Sequence, residues 1–315
     1  MTRRIAFVIF PGFQALDLAA MTAFELANEN QRSQVYEIEI VSEAGGAVRS
    51  SFAASVDSAP FGDAAYDTVV ICGGMTAPTA TPGLREALKS ACARARRVAS
   101  ICTGAFLLAE IGLLDGRRGT THWAHARELQ RRHPKARVEE DRIFIVDRDV
   151  WTSAGMTACI DLSLAMVEAD LGSDVSRSIA RGLVVYHRRT GGQSQFSALL
   201  ELEPRSDRIQ KALAFARENL TAELSVEQLA DVARLSPRQF SRAFRSETGQ
   251  SPAKAVENLR MEAALALIED GRLPNDVIAR DTGFGDPERM RRAFLRAHGQ
   301  PPQALRRAVR LLASA

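Results

Sequence analysis

The chain has 315 residues, 46% hydrophobic and 25% charged, with a formal net charge of +3. That length and balance suit two domains with full cores, and they exclude a collagen-like, disordered or disulfide-stapled protein. No apolar run reaches the roughly 18 residues that cross a bilayer. The four cysteines, Cys72, Cys92, Cys102 and Cys159, lack metal-site spacing. A cytoplasmic protein without membrane segment, metal or cofactor is the expectation.

The first apolar run, Ile5–Phe10, ends at Pro11-Gly12 and reads as a strand, because its basic start lacks the small-residue cleavage site of a signal peptide. Leu16–Asn28 has helical periodicity, and Tyr36–Ser42 alternates as a strand. Asp67–Cys72 is a buried-strand run closed by Gly73-Gly74. Pro82–Arg94 is helical, and Arg97–Ile101 is a strand that runs straight into Cys102. Ile143–Val146 and Val150–Ser153 form a hairpin pattern, and Thr157–Glu168 a long helix. The alternation predicts a flavodoxin-like α/β sandwich with a mostly parallel sheet over residues 1–187, which places a ligand site at the carboxyl ends of the strands.

Three features converge on that edge. Cys102 lies in Ser100-Ile-Cys-Thr-Gly104, a strand-to-helix junction with small neighbours, as a nucleophile elbow requires. A helix N-terminus beneath the sulfur would favour the thiolate. The backbone N–H groups of Gly73 and Gly74 are candidates to receive an anion or carbonyl oxygen beside the N–H of Thr103. Asp17 would bring a carboxylate, as acid or base, to the same point. His122, in Thr120-Thr-His-Trp123, is a further candidate for the pocket, whereas His125 and His133 fall in a polar helical stretch and are expected in solvent. Cys72, Cys92 and Cys159 read as core packing.

The remaining chain contains an internal repeat. Phe240-Ser-Arg-Ala-Phe-Arg-Ser-Glu-Thr-Gly-Gln-Ser-Pro252 matches Met290-Arg-Arg-Ala-Phe-Leu-Arg-Ala-His-Gly-Gln-Pro-Pro302 at six positions. Each copy opens on an N-cap residue followed by proline, Ser236-Pro237 and Asp286-Pro287, and closes on glycine then proline. In the first copy Phe240 and Phe244 form the buried stripe, while Arg238, Arg242 and Arg245 share the other side, next to Gln239. In the second, Met290 and Phe294 are buried and Arg289, Arg292 and Arg296 exposed. A short amphipathic helix precedes each: Ser225–Ala233, with Ser225 and Gln228 spaced as a capping box, and Asn275–Asp281, followed by the turn Gly283-Phe-Gly285. Helix, tight turn and arginine-faced helix, twice over (about 224–248 and 274–298) and joined by a helix near Ala255–Glu269, is a paired helix-turn-helix pattern. From Asp207 onward there are 18 Lys and Arg against 14 Asp and Glu, so the basic excess sits in this part.

These motifs resemble two families. From about Arg208 to the end, and above all in Gly283-Phe-Gly-Asp…Phe294…Gly299-Gln-Pro-Pro302, the chain resembles the AraC/XylS DNA-binding domain, with Met290 and Leu305 where that family usually has aromatics. Residues from Ile5 to Val185 resemble the PfpI-like branch of the class I glutamine amidotransferase superfamily. The combination, with residues 188–207 as a linker that includes Gly191-Gly-Gln-Ser-Gln195, is similar to GlxA-like transcriptional regulators. The resemblance implies a regulator that binds double-stranded promoter DNA through Arg238, Gln239, Arg242, Arg245, Arg289, Arg292 and Arg296, takes a small amino-acid-like or nitrogenous effector, forms a homodimer through its first domain and acts on RNA polymerase. It also leaves open an enzyme, since isonitrile hydratases of this superfamily carry Asp, Cys and Thr at the places of Asp17, Cys102 and Thr103. Peptidases of the branch have His after the cysteine, where this chain has Thr103.

Overall fold

The computed structural model describes residues 2–62, 65–185, 189, 191, 195, 206–270, 273–298 and 300–313. The chain divides into two compact units, Met1–Gln195 and Phe196–Ala315. The first begins with β1 (Arg3–Val8), a 3-10 helix (Ala15–Ala20), α1 (Met21–Gln31), β2 (Tyr36–Ser42), β3 (Gly46–Arg49), β4 (Ser55–Pro60) and β5 (Thr68–Ile71). It continues with α2 (Pro82–Arg94), β6 (Arg97–Ile101), α3 (Gly104–Glu110), β7 (Arg118–Gly119), α4 (Trp123–Arg132) and β8 (Arg137–Val138). It ends with β9 (Phe144–Asp147), β10 (Val150–Ser153), α5 (Ala158–Leu171) and α6 (Ser173–Gly182).

Eight strands form one sheet in the order β3-β4-β2-β1-β5-β6-β10-β9. The interior pairs are parallel, and only β3 with β4 and β9 with β10 run antiparallel, so the mostly parallel α/β architecture holds. Strands buried on both faces favour apolar side chains at successive positions, which is why Ile5–Val8 in β1 and Val69–Ile71 in β5 are unbroken apolar runs, while β6 also buries Arg97 and Ser100. The side chains still alternate between two cores. In β1, Ile5 and Phe7 enter the core under the 3-10 helix, α1, α5 and α6, whereas Ala6 and Val8 enter the one under α2, α3 and α4. The strand-end opposite the elbow is pinned by a buried ion pair: Arg97 reaches Asp170 at 2.6 Å, and Tyr36 donates its hydroxyl to the same carboxylate at 3.1 Å. A buried charge is tolerated only when paired in this way.

Three differences from the sequence reading have simple causes. The helix expected at Leu16–Asn28 is split, with a 3-10 turn that carries Asp17 before α1. The β3–β4 hairpin has mostly exposed side chains, so no apolar alternation announced it. His133 is not simply solvated: it caps the end of α4, with its ring 6.4 Å from that of Phe106 and its Nε2 buried.

The second unit is helical: α7 (Asp207–Glu218), α8 (Val226–Ala233), α9 (Pro237–Thr248), α10 (Pro252–Asp270), α11 (Asn275–Asp281), α12 (Pro287–His298) and α13 (Pro302–Ala313). It has two cores. Phe240 and Phe244 pack with α7, α8 and the start of α10, and Met290 and Phe294 pack with α11 and the later turns of α10. Each of these phenylalanines, fully buried, contributes roughly 1.5–3 kcal/mol. Met290 is wholly buried and Leu305 packs on the same cluster, so both fill their positions as apolar bodies. Arg260, in the middle of α10, is buried and donates to the carbonyls of Leu220 and Ala222 at 3.0 and 2.6 Å. The Gly283 turn closes on that junction, because a Cβ at Gly283 would lie 1.7 Å from the Leu220 oxygen.

Candidate functional site

Between β6 and α3 the chain reverses at Cys102, whose φ of +53° lies in the left-handed region. A non-glycine residue held there is strained, and such strain persists only where the surroundings fix it. Three glycines make the room: an added Cβ at Gly73, Gly104 or Gly155 would lie 2.8 Å from the Cys102 Cβ, 2.4 Å from the Ile71 oxygen and 2.1 Å from the Cys102 Cβ respectively. Cys102 donates its N–H to Ser153 at 3.0 Å and accepts Thr121 Oγ1 on its carbonyl at 2.7 Å. The elbow is therefore held from both sides by β10 and by the segment before α4.

Asp17, fully buried in the 3-10 turn, accepts the N–H of Gly73 on Oδ2 at 2.7 Å. The turn is tied back in the other direction by Gln14, whose N–H donates to the Gly73 carbonyl at 2.8 Å. Thr103 Oγ1 accepts the N–H of Gly74 at 2.7 Å and donates to its carbonyl at 2.9 Å. Both glycine amides thus have acceptors inside the protein. This corrects the expectation that they stand free for an anion; they order Asp17 and Thr103 instead. The N–H of Thr103 faces the Cys102 sulfur.

The electrostatics also differ from expectation. Burial, with the Asp17 carboxylate adding to it, pushes the Cys102 thiol up to about 12, and the Thr103 N–H only partly offsets this. A short helix start does not outweigh desolvation here, so the neutral thiol dominates at pH 7. Burial likewise raises Asp17 to about 7, against the lowering by the Gly73 N–H. Its second oxygen, Oδ1, is buried without a hydrogen-bond partner among the described residues. A folded value above the unfolded 3.8 means that the native state holds this proton more tightly, so the contribution of Asp17 to stability is fully present below about pH 4 and is lost as pH rises to about 7. Asp17→Asn should remove that slope. Urea melts at pH 5 and 8 should show the variant losing less stability than wild type over this interval, by up to a few kcal/mol. Parallel losses would contradict it.

His122 sits one residue beyond Thr121, half-buried, and caps α4 by accepting the Ala124 N–H on Nδ1 at 3.3 Å. Burial and the neighbouring His125 hold it below the usual histidine range, so it is neutral. Sequence reasoning pointed to Gly104 as a small neighbour of the elbow but missed Thr121 and Gly155. Gly155 had a signal, a glycine just past a strand end.

In the second unit both arginine-faced helices have built starts. Ser236 and Gln239 form a reciprocal capping box on α9, and Asp286 accepts the N–H groups of Glu288 and Arg289 at 3.1 and 3.2 Å on α12. Gln239, expected at DNA, uses its Oε1 on the Ser236 N–H, which leaves its Nε2 for an outside group. Arg238, Arg242 and Arg245 are exposed and make no ion pair among the described residues. Arg289, Arg292 and Arg296 are exposed too, but Arg296 pairs with Glu257 at 2.7 Å and Arg292 lies 4.0 Å from Glu288. Among the described residues no group of three or more His, Cys, Asp or Glu could hold a metal, and no helix is long and apolar enough to cross a membrane.

Residues 3–169 match the model of the DJ-1/PfpI family, and residues 229–308 match that of a helix-turn-helix domain. The HTH-type transcriptional regulator GlxA of Rhizobium meliloti is 28% identical over 97% of this chain and 96% of its own. The HTH-type transcriptional regulator GbdR of Pseudomonas aeruginosa is 27% identical over 95% of this chain and 83% of its own. Among solved structures, a ThiJ/PfpI family protein from Pseudomonas syringae has the same fold, with a TM-score of 0.53 and 20% identity over 78% of this chain and 91% of that one. With the first match spanning more than half of its length, the chain belongs to the DJ-1/PfpI family and carries an AraC-type helix-turn-helix domain behind it.

Proposed function

We propose that this protein is a sequence-specific DNA-binding transcriptional regulator whose first unit holds a small nitrogenous effector at Cys102 and Asp17. The observation that carries the reading is the pair of capped helices, α9 and α12, each with its apolar pair buried and its arginines exposed. Arginine binds guanine bidentately in the major groove and also contacts phosphate, and two such helices in one unit suit successive grooves about one DNA turn apart. In the cell the regulator would act as a homodimer through its first unit and would communicate with RNA polymerase.

The mouth around the elbow suggests the chemistry of the effector. The segments Pro11–Leu18, Gly73–Pro82, Cys102–Ala109, Gly119–Ala124 and Ser153–Ile160 contain no Lys or Arg of their own, and their only ionisable groups besides thiols are Asp17 and His122; the Arg189 guanidinium that reaches Thr157 is paired with Asp161. Leu16, Met75, Trp123 and Met156 on these loops are large apolar side chains left exposed. An apolar body with a donor for Asp17 Oδ1, an amine rather than a free carboxylate, suits this lining.

Binding without chemistry is favoured over a hydratase or amidase because the Cys102 thiol is pushed up to about 12, whereas a nucleophile needs its thiolate near pH 7. The test pairs 2-phenylethylamine with 3-phenylpropionate as probes. The amine should raise the melting temperature of the first unit and the acid should not, and Cys102→Ala should retain the amine response. A response to the acid alone, a response to neither probe, or turnover abolished by Cys102→Ala would overturn the reading.

A further inference from the structure

The elbow and the exit of the chain from the first unit meet at one side chain. The unit ends at Gln195, and the carboxamide of Gln195 is inserted between backbone groups of the segment before α4 and of the Glu140 turn. Its Oε1 accepts the Trp123 N–H at 2.9 Å, and its Nε2 donates to the carbonyls of Thr121 and Glu140 at 2.9 and 3.0 Å. Its backbone N–H donates to Asp141 Oδ1 at 2.7 Å. Thr121, gripped by Gln195 through its carbonyl, in turn grips the elbow through its hydroxyl, 2.7 Å from the Cys102 oxygen. One residue therefore separates the strained cysteine from the last residue of the first unit.

A second anchor lies on the other side of the elbow. Arg189 donates its backbone N–H to Asp161 Oδ1 at 2.8 Å, its Nε to Asp161 Oδ2 at 2.9 Å and its Nη2 to Thr157 Oγ1 at 2.8 Å. Thr157 stands two residues after Gly155, the glycine that packs on the Cys102 Cβ. Asp161 is buried, so this charge-assisted contact is worth more than a surface pair. Between the anchors, Gly191 lies against the Phe144 carbonyl so closely that a Cβ would stand 2.6 Å from it. Arg189 and Gln195 are thus fastened one to each of the two loops that hold the elbow.

We propose that Gln195 is the coupling residue of the regulator: its clasp on Thr121 and Trp123 fixes where the tether to the second unit begins, and an occupant at Cys102 changes the strength of that clasp through Thr121. The inference rests on the proposed effector site at Cys102. A carboxamide with both of its ends bonded to backbone groups is a two-state fastening, made or broken as a set, rather than a graded contact. When it opens, the tether gains up to roughly 3.5 Å of reach for every residue released, enough to alter which spacings of paired DNA sites a dimer can span. For an effector to shift this equilibrium it must bind one of the two states better.

The test uses the full chain and two substitutions that approach the clasp from opposite ends. Gln195→Ala removes the clasp itself. Thr121→Val removes only the hydroxyl that reaches Cys102 and leaves intact the carbonyl that Gln195 uses. Hydrogen exchange at the Trp123 and Gln195 amides should speed up at least tenfold in both variants, while the amides of β1 keep wild-type rates. On an operator selected from a randomised duplex library, both variants should alter the tolerated half-site spacing in the same direction, and the double variant should do no more than either alone. Wild-type exchange at Gln195 in Thr121→Val, or additive effects on spacing, would overturn the coupling. Faster exchange throughout β1 would count against it as well, since it would mean general loosening. If the full chain selects no operator at all, the regulator reading itself fails, whereas operator selection with unchanged variants removes only the role of Gln195.

Discussion

Gly283→Ala is expected to unfold the second unit selectively and to abolish DNA binding while the first unit melts as before. At φ +79° the position is left-handed, which costs a residue with a Cβ roughly 1–2 kcal/mol. The added carbon would also lie 1.7 Å from the Leu220 carbonyl oxygen and 2.8 Å from the Arg260 Nε. The first of these is backbone and cannot rotate away, and the second belongs to a buried guanidinium fixed by two carbonyls. The junction between the two helix-turn-helix halves must therefore open, a loss on the order of 3–5 kcal/mol. Gly285 provides the control. It has φ +71° but open space around its missing Cβ, so Gly285→Ala should cost only the conformational strain. Calorimetry on both variants decides the matter: equal losses at 283 and 285 would show that the Leu220 contact carries no weight.

The second large effect concerns α9. Arg238→Ala and Arg242→Ala should each weaken operator binding by about 1–3 kcal/mol, or roughly 5- to 150-fold, without lowering the melting temperature of the second unit. Stability is spared because neither side chain enters the core and the start of α9 is held by Ser236 and Gln239. Arg296→Ala should matter less, since Arg296 must leave Glu257 before it can reach DNA. Anisotropy titrations at one fixed salt concentration compare the three, because electrostatic binding shifts steeply with salt. A double variant at 238 and 242 that binds within twofold of wild type would remove α9 from the interface.

Particular residues show how far the sequence reached and why it stopped. The repeat made α9 and α12 readable because each copy carries its own start, buried pair and stop, all local signals. The central strands were readable for a related reason: burial on both faces favours continuous apolar runs, as in Ile5–Val8 of β1 and Val69–Ile71 of β5. The β3–β4 hairpin, exposed and rich in small residues, carries no such pattern. At the elbow, Cys102 and Thr103 could be placed from their small neighbours. Their surroundings could not, because Gly155, Thr121 and Gln195 arrive from distant parts of the chain through a sheet order that no local pattern encodes. The protonation of the site was equally hidden. A helix start near a cysteine suggests a thiolate, but only packing reveals that the sulfur and Asp17 are both buried and that desolvation wins. The partners of the Gly73 and Gly74 amides were unreadable for the same reason, since Asp17 and Thr103 reach them only once the sheet has closed.

The most direct measurement is equilibrium binding of the full chain to a duplex selected from a randomised library, set against a scrambled duplex of the same length, over a range of salt concentrations. A regulator that reads DNA through α9 and α12 should prefer the selected duplex by at least about 10³-fold, and its affinity for both should fall log-linearly with salt. Equal affinity for the two duplexes, or no binding at low salt, would contradict it.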